Sequence, residues 1–274
     1  MPELPEVETS CRGIAPHCIA QKITDIVIRE KRLRWPVDPE LPALFKNKLI
    51  SSVSRRGKYL LINCELSGKH QSLMIHLGMS GSLRVITENS PINKHDHLDI
   101  VLSNGKLIRY NDPRRFGSVQ LNLLGDTHPL LVKLGVEPLH ESFNTDYLLS
   151  ICKKRQVAIK ALIMNSHVVV GVGNIYAQEA LFRAAIHPSR QANRISVKRL
   201  EILVETIKQV LSEAIEAGGS SLKDFTSVEG KPGYFQHTHQ VYGRGGEPCI
   251  NCGLPLKQTT IAQRTTVYCG NCQK

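Results

Sequence analysis

Four cysteines near the C-terminal end constrain this chain more than any other feature. Cys249-Ile250-Asn251-Cys252 and Cys269-Gly270-Asn271-Cys272 form a C-x2-C…C-x2-C pattern, the spacing of a four-thiolate zinc site. Tetrahedral coordination requires the two pairs to be brought together by an intervening hairpin, and residues 254–260 and 264–268 can supply its strands. Full cysteine ligation leaves no open coordination position, so a zinc ion held here is structural rather than catalytic. A segment this short can hardly bury a core without the metal. Cys11, Cys18, Cys64 and Cys152 are scattered and read as ordinary reduced thiols.

The rest of the chain is long enough for one large domain or two modest ones, at 274 residues in all. Its formal net charge of +11 points to a polyanionic partner. No apolar run approaches the ~20 residues of a spanning helix. The start, Met1-Pro2-Glu3-Leu4-Pro5-Glu6, lacks the basic and apolar regions of a signal peptide. A cytoplasmic protein without a disulfide framework is therefore expected. Basic clusters occur at Lys31-Arg32-Leu33-Arg34, Arg55-Arg56-Gly57-Lys58, Arg114-Arg115 and Lys153-Lys154-Arg155. Singly each reads as a solvated face; with a zinc hairpin carrying Arg264 they favour nucleic acid over a membrane surface.

Short β-rich runs at 23–28, 58–62, 73–77, 98–102 and 106–110 predict a sandwich or barrel, preceded by a helix near 5–14. Ser103-Asn104-Gly105 reads as a type I′ hairpin turn. The middle is helical. Leu200, Leu203, Val204, Ile207, Leu211, Ala214 and Ile215 share one face, with Ser196 as N-cap and Gly218-Gly219 as the stop. Further helices are expected over 146–164 and 174–185, and a linker over 124–142. Residues 218–233 read as a second loop-like region, either a plain connection or a functional loop.

Two further places could carry chemistry. Gly171-Val172-Gly173-Asn174 opens a helix and offers free N–H groups to an anion, with Asn174 as cap or donor; a glycine turn without a ligand is the plainer reading. At the N-terminus, removal of Met1 would expose the secondary amine of Pro2. An α-amine titrates near pH 8, so part of it is neutral and nucleophilic at neutral pH. Glu3 and Glu6 could manage protons, or could merely favour the positive end of the first helix.

Read together, Met1-Pro2-Glu3-Leu4-Pro5-Glu6-Val7-Glu8-Thr9, His76-Leu77-Gly78-Met79-Ser80-Gly81, Asp112-Pro113-Arg114-Arg115-Phe116-Gly117, Gly171-Val172-Gly173-Asn174-Ile175-Tyr176 and the zinc hairpin closely resemble bacterial formamidopyrimidine-DNA glycosylase, from the first residue to the last. The resemblance implies an α+β protein: an N-terminal β-sandwich catalytic domain flanked by helices (1–130), a helix–two-turns–helix DNA-binding domain with a lesion-capping loop near 218–233 (131–236), and a four-cysteine zinc finger (237–274). It implies a monomer acting on damaged double-stranded DNA in the bacterial nucleoid, in the basic cleft between two lobes.

The resemblance also implies roles. Oxidised purines, 8-oxoguanine and formamidopyrimidines, preferably opposite cytosine, would be flipped out. Pro2 would attack C1′, Glu3 would act as acid and base, and β,δ-elimination would cut the strand; Glu6 is the supporting carboxylate. Lys58 and Arg264 would serve catalysis, and Lys58, Asn174 and Arg264 would hold phosphates. His95, Arg114 and Lys160 would contact DNA. Met79, Arg114 and Phe116 would fill the gap left by the flipped base. Cys249, Cys252, Cys269 and Cys272 would hold one structural Zn2+. A chain still bearing Met1 has no free proline amine. An endonuclease VIII-type enzyme is the nearest rival, disfavoured by Leu4 where that family has Gly; a zinc-ribbon binder without catalysis leaves Pro2 and Glu3 without a role.

Overall fold

A computed structural model describes residues 2–66, 69–123, 125–219 and 239–274. The lesion-capping loop expected over 218–233 lies outside the described residues beyond Gly219. Two compact units are found. One contains residues up to Val132, and the other contains Lys133–Glu216 together with the C-terminal finger.

In the first unit, helix α1 (Leu4–Cys18) buries Leu4, Val7, Cys11, Ile14 and Cys18, a stripe at helical spacing. It runs past the expected end near Ile14 and across Pro16, because Cys18 is anchored in the core. The strands are β1 (Lys22–Ile28), β2 (Lys48–Arg56), β3 (Tyr59–Leu66), β4 (Lys69–His76), β5 (Ser82–Thr87), β6 (Asp96–Leu102), β7 (Lys106–Asn111) and β8 (Ser118–Asn122), with a short helix α2 (Leu41–Phe45) before β2. All pair antiparallel, in the order β5-β7-β6-β1-β2-β3-β4-β8. Only the pairs Lys22↔Leu49 and Ile23↔Lys48 join β1 to β2, so the sheet divides into two four-stranded halves. One apolar core draws Ile26, Leu98 and Ile108 from the first half, Leu60, Ile75 and Val119 from the second, and Val7, Ile14 and Phe45 from the helices.

Three strands escaped the sequence reading. β2 carries few apolar residues, and β5 and β8 are short edge strands. The turn at Ser103-Asn104-Gly105 is not type I′. Register Val101↔Leu107 leaves a loop in which Gly105 alone takes a positive φ, +73°, and Asn104 Oδ1 instead accepts the Lys106 N–H at 3.1 Å. A short loop ending in a left-handed glycine matches strand twist equally well.

The second unit contains α3 (Thr145–Cys152), α4 (Ile159–Ile163), α5 (Asn174–Arg183) and α6 (Val197–Glu216). The single helix expected over 146–164 is broken into α3 and α4. Ile159 and Lys160 donate their N–H groups to the carbonyls of Arg190 and Pro188, so the backbone there bonds across the fold instead of along a helix. Asn144 caps α3 by accepting the Tyr147 N–H at 2.9 Å. Every residue expected on the inner face of α6 is buried, and the left-handed Gly218 and Gly219 follow its end. The finger hairpin pairs β9 (Lys257–Ile261) with β10 (Arg264–Tyr268). Among the described residues, no helix is long and apolar enough to cross a membrane.

Leu203 is fully buried on α6. Leu203→Ala is expected to cost about 2–5 kcal/mol through lost burial and the cavity left behind, read as a lowered urea midpoint with an unchanged zinc content.

Candidate active site and nucleic-acid interface

The N-terminal segment is fixed by its own first helical turn. Glu3 is the N-cap of α1, and the Glu6 carboxylate reaches back to accept the Glu3 N–H at 2.8 Å, the reciprocal half of a capping box. Pro5 occupies the first turn, where its missing N–H is not needed. Pro2, Glu3 and Glu6 are all buried, so three residues named from sequence are brought together. Glu6 acts here by holding the backbone beside Pro2. Helix α1 is also tied to the β2–β3 turn: Arg55 Nε donates to Glu8 at 3.0 Å and Arg55 Nη1 to the Gly57 carbonyl at 3.0 Å. That turn carries Lys58. The basic clusters are therefore less basic than they read, since Arg55 pairs with Glu8, and Arg32 and Arg115 pair with Glu30.

The residues proposed to fill a gap share one surface. Arg114 stacks its guanidinium over the Phe116 ring at 4.9 Å from the centroid, and the ring is 47% exposed. Met79 follows Gly78, whose φ is +63° and where an added Cβ would collide with the backbone of Phe116 and Gly117. The Met79 loop and the Arg114–Phe116 loop thus touch backbone to backbone.

Asp112 organises both loops. Its buried carboxylate accepts hydrogen bonds from Ser80 Oγ (2.6 Å), the Gly117 N–H (2.9 Å) and the Tyr110 hydroxyl (3.1 Å), while its carbonyl meets His97 Nε2 at 2.7 Å. His95 contributes its backbone carbonyl, which accepts the Asp112 N–H at 3.1 Å. Sequence reasoning named Asp112 only as part of a motif; an aspartate before Pro113 was the available turn signal.

His76, at the end of β4, accepts the Gly78 N–H on Nδ1 at 3.0 Å and packs on Tyr59 at 4.9 Å between ring centroids. Burial, then the positive charges of Lys58 and Arg34, push its pKa down to about 4, against the smaller opposing pull of Asp112. The neutral ring therefore supports the Met79 loop.

In the second unit, Gly173 and not Asn174 is the N-cap of α5. This frees the Asn174 amide for other bonds. Its Oδ1 accepts Lys160 Nζ at 2.6 Å and its Nδ2 donates to the Thr265 carbonyl at 3.2 Å. Lys160, expected to touch DNA, is fully buried, with Nζ also donating to Thr266 Oγ1 at 2.7 Å. Its ammonium supports Asn174 and β10 from beneath. Arg264 is exposed at the start of β10, beside a two-residue turn in which Ala262 and Gln263 have φ of +49° and +56°. Asn174, Gln178, Tyr242, Gln263, Arg264 and Thr265 line part of one cavity of about 410 Å³. Glu179, unforeseen from sequence, accepts the N–H groups of Gln240, Val241 and Tyr242 at 2.8, 3.1 and 2.8 Å.

The four finger sulfurs lie within 4.8 Å of one another, with Cys249–Cys272 at 4.0 Å and Cys252–Cys269 at 3.5 Å. Thiolates around zinc at ~2.3 Å sit about 3.8 Å apart, so the set fits the ion. The Cys272 N–H points to Cys269 Sγ at 3.4 Å, the kind of backbone bond that steadies a metal-bound thiolate. Cys249 and Cys269 pack with Phe182 of α5, Val241, Leu256 and Val267.

Family models match along the chain: the formamidopyrimidine-DNA glycosylase N-terminal domain over 1–119, its H2TH domain over 134–226, and the zinc finger found in FPG and IleRS over 246–274. Formamidopyrimidine-DNA glycosylase of Alcanivorax borkumensis is 53% identical over 274 residues, covering 100% of both chains. The enzyme of Shewanella piezotolerans is 51% identical over 275 residues, again covering 100% of both. The chain belongs to the formamidopyrimidine-DNA glycosylase family. The MutM (FPG) protein of Thermus thermophilus superposes with a TM-score of 0.87 at 39% identity, covering 99% of this chain and 98% of that one. A mutant Lactococcus lactis FPG in complex with a Fapy-dG containing DNA gives 0.90 at 35% identity, covering 100% of both. The α+β architecture, the DNA glycosylase class and the four-cysteine zinc finger are those of formamidopyrimidine-DNA glycosylases.

Two outcomes test this geometry. Because the folded His76 pKa lies near 4 and its ordinary value is 6.5, the unfolded chain binds a proton in that window and the folded one does not. His76 thus stabilises the fold above 6.5, and the contribution is lost as pH falls toward 4; urea titrations should show His76→Gln flattening that loss. Stripping zinc, or Cys252→Ser, should abolish DNA binding while the first unit keeps its unfolding transition. Full binding by protein that contains no metal would overturn the zinc assignment.

Proposed function

We propose that this chain excises oxidised purines, 8-oxoguanine and formamidopyrimidines, from duplex DNA through the amine of Pro2 and then cuts the strand as a lyase. The observation that carries the reading is the buried Pro2-Glu3 start, held by the Glu6 carboxylate on the Glu3 N–H. Lactococcus lactis relatives bound to Fapy-dG DNA and to abasic-site DNA support both halves of the activity.

With Met1 removed, the neutral secondary amine attacks C1′ of the flipped nucleotide. The N–C1′ bond forms, and the C1′–base bond breaks as the base leaves with its electron pair and takes up a proton. Ring opening gives an iminium with Pro2, whose positive charge makes the C2′ proton acidic. Loss of that proton expels the 3′ phosphate, and a second elimination expels the 5′ phosphate. Glu3 delivers and collects the protons. An α-amine has an ordinary pKa ~2.5 units below that of lysine, so far more of it is neutral at pH 7.

Lys58, Asn174 and Arg264 hold phosphates around the lesion, His95 also contacts the DNA, and Lys160 supports Asn174. Met79, Arg114 and Phe116 enter the duplex, offsetting part of an unstacking cost of a few kcal/mol. Zinc supplies structure to the finger and no chemistry to the reaction. On this reading the chain divides into a catalytic part over 1–130, a DNA-binding part over 131–236 and a zinc finger over 237–274. Such an enzyme works on the chromosome, in the cytoplasm and nucleoid.

Glu3→Gln is expected to bind damaged duplex normally and to lose base excision, because an amide neither gives nor takes the proton. Borohydride reduction and peptide mapping should place the sugar adduct on Pro2. An adduct on Lys58 or Lys160, or normal trapping by protein that retains Met1, overturns the nucleophile.

A further inference from the structure

We infer that Gln178 is a positioning residue for phosphate recognition, locking the strand that carries Arg264 onto the helix that begins with Asn174. The inference rests on the reading of Arg264 as a phosphate ligand.

The argument starts from the hairpin. A two-residue turn makes Ile261↔Arg264 the closing hydrogen-bonded pair, and bonded pairs then alternate along the ladder. Thr266↔Thr259 and Tyr268↔Lys257 are the next bonded pairs, so Thr265↔Thr260 and Val267↔Gln258 fall on the non-bonded places. The N–H and C=O groups of Thr265 and Val267 therefore face away from β9, along an open strand edge that needs partners.

Helix α5 supplies them with side chains. Gln178 is 2% exposed. Its Oε1 accepts the Val267 N–H at 2.6 Å, and its Nε2 donates to the Thr265 carbonyl at 3.2 Å and to the Asn174 carbonyl at 2.9 Å. Asn174, one turn earlier on the same face, donates to the same Thr265 carbonyl at 3.2 Å. The Gln178 amide thus stands in for a neighbouring strand. It bonds the residue immediately after Arg264 and the residue that begins the helix. The cysteines hold the finger together, while the polar bonds between β10 and α5 come from Asn174 and Gln178. Of these Gln178 alone meets both the N–H of Val267 and the carbonyl of Thr265, because its amide carries an acceptor and a donor at one end.

The test is a double-mutant cycle on the zinc-loaded full chain, reading the slope of log affinity against log salt for a duplex with a tetrahydrofuran abasic analogue. Arg264→Ala alone should lower the slope by about one unit. In a Gln178→Leu background the same change should lower it by less than half as much, with zinc content unchanged. Gln178→Met is the second variant, since its flexible side chain fills the space without the amide. A full one-unit effect of Arg264→Ala in both backgrounds overturns the positioning role. Loss of zinc from both variants does so too, because Gln178 would then hold the finger's own fold. No slope change from Arg264→Ala in the unaltered chain overturns instead the reading of Arg264 on which the inference stands.

Discussion

A polar group taken out of water must find a partner or cost a few kcal/mol, and this constraint shapes every element that carries a functional side chain here. Glu6 satisfies the N–H of Glu3 and so fixes the start of α1. Asp112 gathers Ser80, Tyr110 and Gly117 and so fixes the loops bearing Met79, Arg114 and Phe116. Lys160 and Gln178 satisfy β10 from the helices and so fix the neighbourhood of Arg264. In each case the buried group is not the one that reaches outward. The residue singled out from the sequence sits close by on a backbone held by its neighbour.

The outward-facing residues occupy backbone that would not stay in place unaided. Arg115, Ala262 and Gln263 all take positive φ without being glycine, at a cost of roughly 1–2 kcal/mol each for a left-handed L-residue. Such strain persists where surrounding structure over-determines it. Around Arg115 the determinants are Asp112 and the close approach of Gly117, where an added Cβ would collide with the Tyr110 hydroxyl. Around Gln263 they are the hairpin register and the contacts of β10 with α5.

Charge works at a coarser level. The net +11 favours a polyanion in general, but the basic runs do not act as runs. Glu8 and Glu30 take up Arg55, Arg32 and Arg115. Arg264, by contrast, stands exposed at a strand end. Placement next to a carboxylate, not the count of arginines, decides which cations are already paired within the fold.

The chain's own order of residues determined the zinc ligands, because each C-x2-C turn aims two sulfurs at one ion and a short hairpin joins the two turns, and it determined the inner face of α6, because that face repeats at the helical period. It also held the family, through motifs from Pro2 to Cys272. It did not determine that β2, β5 and β8 complete the sheet, since short or polar strands are set by the partners beside them. Nor did it show the break between α3 and α4, where backbone bonds to distant carbonyls replace a helix. Lys160 was expected to contact DNA, but the fold buries it, and Gln178 carries no signal at all. Its role exists only because tertiary packing sets an open strand edge against one face of α5, and the unmet N–H and C=O groups of that edge require a buried amide.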